Sequence, residues 1–307
     1  MKHIVIGDAH GNYQNVFNFL KRYQAVDKKG KPINRDEISV WSIGDLIDAD
    51  INREGDLTLL HHAKRWFNGI CIGNHEYAMI GGPDFGGARK HDRETKKLLL
   101  ELEDEGIYRP AFVVEDFLLT HAGLADRWGF SDPKDALDAI SIVWDNSQDE
   151  DWDIPFFDWV GPIRAGKFAD ECGGIFWLDW SENRNKKIDQ IVGHSTITNG
   201  PDVISYYYEN SSHWNVDIGG KYGLGIGGVQ IEDAKVSPVF CGQRVILKKP
   251  KFISRGRNLS ESIDHMMGIN TEYDEEWEED NGDGIYEFED PETEREFQEF
   301  RELMETI

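Results

Sequence analysis

Eight side chains capable of metal binding or proton transfer stand directly after short apolar runs. Asp8 and His10 follow His3–Ile6 in Gly-Asp-Ala-His-Gly, and Asp45 and Asp48 follow Ile38–Ile43 in Gly-Asp-Leu-Ile-Asp. Asn74 and His75 follow Gly69–Ile72 in Gly-Asn-His-Glu, His121 follows Phe117–Thr120, and His194 follows Gln190–Val192 in Gly-His-Ser. Carboxylates, imidazoles and an amide oxygen suit hard or borderline divalent metals such as Mn, Fe, Zn or Mg. No thiol is among them. The set is larger than one ion needs, and two ions roughly 3.5–4 Å apart would clamp both the attacking and the leaving oxygen of an in-line displacement. Phosphate-ester hydrolysis, among the slowest of uncatalysed reactions, is the chemistry that gains most from such a clamp. One Gly-Asp is ordinarily a turn, and one histidine is ordinarily a core or surface residue. His3, His61, His62, His91, His213 and His265 take that plain reading. Five strand ends carrying such groups in one chain do not.

The elements that must position these groups are legible from the pattern. The apolar runs are short, rich in Ile and Val, and end at Gly or a polar residue, as buried strands do. A further strand is expected over Trp214–Ile218, and late strands over Gly228–Ile231 and Val236–Cys241. Between them lie helical patterns. Asn15–Tyr23 sets Val16, Phe19, Leu20 and Tyr23 on one face, and Arg93–Glu105 does the same with Leu98, Leu99 and Leu102. Strands alternating with helices make an α/β protein, and ligands of open α/β sheets bind beyond the carboxyl ends of the strands. The glycine-rich run Gly219–Asp233 lacks a phosphate-loop spacing and reads as a bend into the late strands.

The chain has 307 residues and a formal net charge of −25. Residues 261–307 hold 19 acidic and two basic side chains, so −17 lies there and −8 remains for residues 1–260. The expected organisation is a catalytic domain over residues 1–245, then a basic linker and an acidic, partly disordered or helical tail over 246–307. Gln243–Arg257 carries six basic residues and no acidic one. A solubilising role is the plainer expectation for the tail. The alternative is that it folds back on this basic run or over the site. The acidic balance disfavours non-specific nucleic-acid binding. No apolar run approaches the roughly 20 residues that span a bilayer. Three cysteines without CxxC spacing and the absence of a leader-like start set cytoplasm as the expected location. A run over Glu279–Gly284 only faintly matches a calcium loop.

In this order, "GDAHG", "GDLID", "GNHE", "THAG" and "VGHS" resemble the calcineurin-like metallophosphoesterases, in particular the phosphoprotein phosphatase superfamily of serine/threonine phosphatases and diadenosine tetraphosphate hydrolases. The resemblance covers roughly residues 1–245. It implies a two-sheet sandwich flanked by helices and two divalent ions, Mn, Fe or Zn. Asp8 and His10 would bind the first ion and Asp45 would bridge. Asn74, His121 and His194 would hold the second, with Asn74 also near the substrate phosphate. His75 would protonate the leaving oxygen with Asp48 orienting it, and a bridging hydroxide would attack. The family's Arg-Gly after the second aspartate is missing, since Ala49 and Asp50 follow Asp48. Arg164, Arg184 and the late-arriving Arg53 are the candidates to grip phosphate in its place, Arg164 first. Trp177 is expected in the core. The expected function is hydrolysis of phosphomonoesters, with phosphoserine or phosphothreonine of proteins as candidate substrates. A nucleotide or dinucleoside polyphosphate hydrolase is the alternative, and a non-catalytic module on the same fold comes third.

Overall fold

The computed structural model describes residues 1–48, 53–83, 93–147, 154–166, 169–196, 203–222 and 224–241. The expectations for the basic linker, the acidic tail and the calcium-like run lie outside these residues. The strands among the described residues are β1 Lys2–Ile6, β2 Ile38–Ser42, β3 Gly69–Cys71, β4 Tyr108–Arg109, β5 Ala111–Val114, β6 Phe117–Thr120, β7 Asp189–Val192, β8 Ile204–Tyr207, β9 Ser212–Asn215, β10 Ile226–Glu232 and β11 Lys235–Cys241. The helices are α1 Tyr13–Arg22, α2 Arg53–Trp66, α3 Asn74–Ile80, α4 Arg93–Asp104 and α5 Pro133–Ser147, with single turns α6 Pro155–Asp158 and α7 Pro162–Ala165. No described helix is long and apolar enough to cross a membrane.

Two sheets result, ordered β11-β10-β1-β2-β3-β4 and β5-β6-β7-β9-β8. In the first, β1, β2, β3 and β4 run parallel; in the second, β6, β7 and β9 do. Side chains alternate across a strand, and β1 shows what that achieves. Val5 belongs to a cluster with Ile43, Cys71, Leu119, Ile191 and Trp214 drawn from both sheets. Ile4 and Ile6 face the other way, into the cluster with Phe19 and Leu20 of α1. The core is therefore double: one layer between the sheets and one beneath the helices. The α1 stripe is Val16, Phe19 and Leu20, and Asn12 caps the helix by accepting from Asn15 N.

One boundary differs in an instructive way. The strand expected over Trp214–Ile218 is Ser212–Asn215. Val216 still donates from its N to Val192 O at 2.8 Å. Beyond it, the Asn215 side chain bonds Asp217 N and Ser195 O, and the chain turns under the strand ends instead of continuing the ladder. Apolar residues continued past the strand because the turn is itself buried.

Candidate metal centre

Each site residue lies just beyond the carboxyl end of a parallel strand. Asp8 and His10 follow β1, Asp45 and Asp48 follow β2, Asn74 and His75 open α3 after β3, His121 follows β6 and His194 follows β7. The sandwich thus joins the strand ends of both sheets, and all eight side chains are buried. Four of them occupy the left-handed backbone region that side chains disfavour: His10 at φ 44°, Asp45 at 45°, Asp48 at 73° and His194 at 67°. Such strain persists where surrounding structure over-determines the conformation, and it gathers at functional sites. Two glycines make room. A Cβ on Gly73 would lie 2.1 Å from Asp45 Oδ1, and one on Gly193 would lie 2.1 Å from Asp8 Oδ1.

Asp45 is the hub. Its Oδ2 lies 3.6 Å from His10 Nε2, 3.5 Å from His121 Nε2 and 3.9 Å from His75 Nε2, and its Oδ1 accepts from His75 N at 3.2 Å. Asn74 Oδ1 lies 2.9 Å from both His121 Nε2 and His194 Nδ1, which are 3.1 Å apart. Donor atoms capable of holding a cation fall into two groups that share Asp45: His10, Asp45 and His75, and Asp45, His121 and His194. His75 stands in the first group where the sequence expectation has Asp8. The Asp8 carboxylate accepts from His194 N at 3.1 Å through Oδ2, and its buried Oδ1 has no hydrogen-bond partner.

The protonation chemistry of this cluster fits cations. His121 Nδ1 faces Ile43 O at 3.0 Å, so it carries the proton and Nε2 presents a lone pair. The buried His194 Nε2 has no partner. With both rings neutral, Asp45 Oδ2, Asn74 Oδ1, His121 Nε2 and His194 Nδ1 share at most one proton among four atoms that bind through lone pairs. A divalent ion resolves that crowding, and the oxygen and nitrogen donors suit Mn, Fe or Zn. Burial lowers the pKa of His121 and His194 and pushes His10 down to about 3. Burial raises Asp8 well above the carboxylate range, and the charges of Asp217 and Asp45 add to it. Burial also opposes the charge on Asp45, but His121, His75 and His10 outweigh it and hold its pKa below the ordinary value.

His75 behaves differently. Burial opposes its protonation, but Asp45 and the Asp48 carboxylate, 2.8 Å from His75 Nδ1, raise its pKa above the ordinary value. A ring held by one nitrogen and favouring its charged form is suited to giving up a proton from the other.

The arginine candidates separate. Arg164, in α7, points Nη2 at His194 O (3.4 Å) and Asp179 Oδ2 (3.5 Å), and its side chain is about one-third exposed. Glu182 pins that loop. It accepts from Gly173 N and Ile163 N, and it packs so close to Gly161 that a Cβ there would overlap it. Arg184, the second candidate, is placed differently. It is buried, its Nη1 and Nη2 donate to Trp180 O and Asp179 O, and its guanidinium lies 3.9 Å over the Trp180 ring. Both of its terminal nitrogens thus meet protein carbonyls of the loop over Asp179 and Trp180. Arg53 opens α2, and its side chain lies outside the described residues. Trp177 is buried as expected, with its ring edge-on to His194 at 5.8 Å.

Two carboxylates escaped the sequence reading. Glu76 is fully buried and accepts from Asp45 N (2.9 Å), Ile47 N (3.0 Å) and Gly73 N (3.0 Å), which ties the β2 loop to the start of α3. Asp217 accepts from Thr196 Oγ1 and Gly219 N, both at 2.9 Å. Asp217 fell inside the strand expected over Trp214–Ile218, so the strand-end rule passed over it; the observed strand ends at Asn215, two residues earlier. Glu76 carried no separate signal.

No protein-family model matches the chain, and no curated protein sequence does. Among solved structures it is similar to a cold-active protein-tyrosine phosphatase of the psychrophile Shewanella sp., at 15% identity over 78% of this chain and 80% of that one, with a TM-score of 0.53. A mutant of a cold-active protein-tyrosine phosphatase aligns at 17% identity over 78% and 80%, also with a TM-score of 0.53. The likeness is one of fold: this chain shares the architecture of that phosphatase over about four-fifths of either chain. In this fold the strand-end cluster lies at the carboxyl ends of strands from both sheets, and Arg164 stands beside His194.

Proposed function

We propose that this chain is a metal-dependent phosphoesterase that hydrolyses phosphomonoesters. The observation that carries the reading is Asp45 Oδ2 within 3.9 Å of three imidazoles, one of which is held from behind by Asp48. Asp8, His10 and Asp45 would hold one divalent ion, and Asp45, Asn74, His121 and His194 the other. Bound there, the two ions would supply charge neutralisation for the phosphoryl group and a water acidic enough to attack it. Arg164 would hold phosphoryl oxygens through its planar fork. As the bond from phosphorus to the leaving oxygen breaks, His75 would pass its Nε2 proton to that oxygen. Asp48 would keep Nδ1 protonated and the ring in place.

The proposed substrate class is a phosphorylated protein side chain or a small phosphomonoester, and cleavage of a polyphosphate anhydride is the competing reading. A panel of phosphoserine, phosphothreonine and phosphotyrosine peptides, p-nitrophenyl phosphate and diadenosine tetraphosphate, each with Mn2+, Zn2+ or Mg2+, separates them. Monoester cleavage in excess supports the proposal, whereas dominant anhydride cleavage rejects it. Stoichiometric metal binding without turnover of any substrate would favour an interaction module.

A further inference from the structure

A second cation stands on a turn packed against the loop that carries Asp8 and His10. Lys221 lies in the 3-10 turn Gly220–Tyr222 between β9 and β10. That turn is fastened at both ends of the site. Gly220 packs so tightly on the loop carrying Asp8 and His10 that a Cβ would lie 2.2 Å from Asp8 O. Asp217 accepts from Gly219 N through one oxygen and from Thr196 Oγ1, two residues after His194, through the other. Tyr222 N closes the turn on Gly219 O at 3.0 Å.

Lys221 is half-buried, and among the described residues its ammonium has no ion-pair or hydrogen-bond partner. Arg164 is paired with Asp179, and the Arg184 fork is spent on backbone carbonyls. The charge of Lys221 reaches His10 and His75, and that of Arg164 reaches His121, His194 and Tyr222, the neighbour of Lys221. Both cations therefore bear on the same cluster. A half-buried ammonium with no carboxylate partner, held on a fixed turn over a ligand site, is suited to an anionic ligand.

We propose that Lys221 is a phosphate-binding residue of this site, supplying from the β9–β10 turn the positive charge that the chain lacks after Asp48. The proposal rests on the phosphoesterase reading and deepens it: Lys221 and Arg164 would both meet the phosphoryl oxygens of a monoester dianion. A lysine is a compact point charge on a flexible stem and cannot grip two oxygens in a plane. Lys221 therefore sets the affinity for the dianion more than its orientation, which is left to Arg164.

The test is calorimetric titration of inorganic phosphate into the metal-loaded full chain, alongside metal content and steady-state kinetics. Losing one charge-assisted hydrogen bond corresponds to about a tenfold rise in Kd. Lys221→Ala is expected to show that rise and a matching rise in KM, with metal stoichiometry and Tm unchanged. Lys221→Arg is expected to recover most of the affinity, and Lys221→Gln substitutes should the alanine variant be unstable. Wild-type protein that binds phosphate and turns over, beside variants that do both equally well, overturns the role of Lys221 alone. Wild-type protein that neither binds phosphate nor cleaves any ester removes the phosphoesterase reading, and the Lys221 proposal falls with it.

Discussion

Glu76→Gln isolates a residue that builds the site without touching a reacting atom. The carboxylate is fully buried and accepts three backbone N–H groups. One oxygen serves Asp45 N and Gly73 N, and the other serves Ile47 N. A glutamine of the same shape keeps one oxygen. Placed where two donors converge, its amide NH2 then faces Ile47 N, donor against donor. Burial, with the charge of Asp45 adding to it, pushes Glu76 up to about 8, so the bond lost counts as an ordinary one, about 0.5–1.5 kcal/mol, and a buried N–H is left without a partner, about 1–3 kcal/mol. A net loss of about 3 kcal/mol is a central value. For a domain of this size it lowers Tm by about 6–12 °C. The same tie holds the loop in which Asp45 sits at φ 45°, so the Asp45 carboxylate is expected to loosen as well. Thermal unfolding in chelator measures the structural term, and metal titration of the folded variant measures the second. A Tm within 1–2 °C of wild type, together with unchanged metal affinity, would refute the claim that Glu76 ties these two loops.

Replacing His75 by Asn is expected to lower kcat by about 10²–10⁴-fold with both metal equivalents retained; loss of one equivalent by elemental analysis would make His75 a ligand instead. Arg164→Ala is expected to raise KM about tenfold with little change in Tm, since its side chain is partly exposed and ends beside His194. Arg184→Ala is expected to do the reverse, destabilising by about 3–5 kcal/mol as two charge-assisted bonds and a cation–π contact are lost, with KM unchanged for the surviving folded enzyme. Burial, with Arg184 adding to it, pushes the His213 imidazole down to about 4. The folded state then resists a proton that the unfolded chain accepts near 6.5, so stability is present above 6.5 and drains as pH falls towards 4, by about 3 kcal/mol at most. His213→Asn should flatten that part of the acid limb, read as a wild-type-minus-variant Tm difference that shrinks between pH 6.5 and 4; a constant difference would show that burial of the ring is not the cause.

Much of this centre was written locally. The rule that a buried parallel strand ends in a ligand-facing loop located Asp8, His10, Asp45, Asp48, Asn74, His75, His121 and His194, because each lies within a few residues of its strand and needs only the strand to be recognised. The helical stripe of α1 and the strands around it were legible for the same reason: their periodicities are set by the local backbone. The helices α2 and α5 and the strands β4, β5 and β8 were not read.

Other features depended on approaches between distant segments. Arg164 and Arg184 are both arginines in polar loops, and the chain alone ranked them without separating them. Their fates are decided by Asp179, Glu182 and the Trp180 ring, which reach them only once the sheets have packed. Glu76 acquires its meaning from three N–H groups on two loops, one of them about 30 residues away. Lys221 looked like part of a glycine-rich bend until Gly220 came to rest against Asp8. The sequence by itself determined which groups could bind metal, since residue type and strand ends are local properties. Tertiary structure alone decided which cations remained free to meet an anion, because whether a charge is already paired depends on neighbours that only folding supplies.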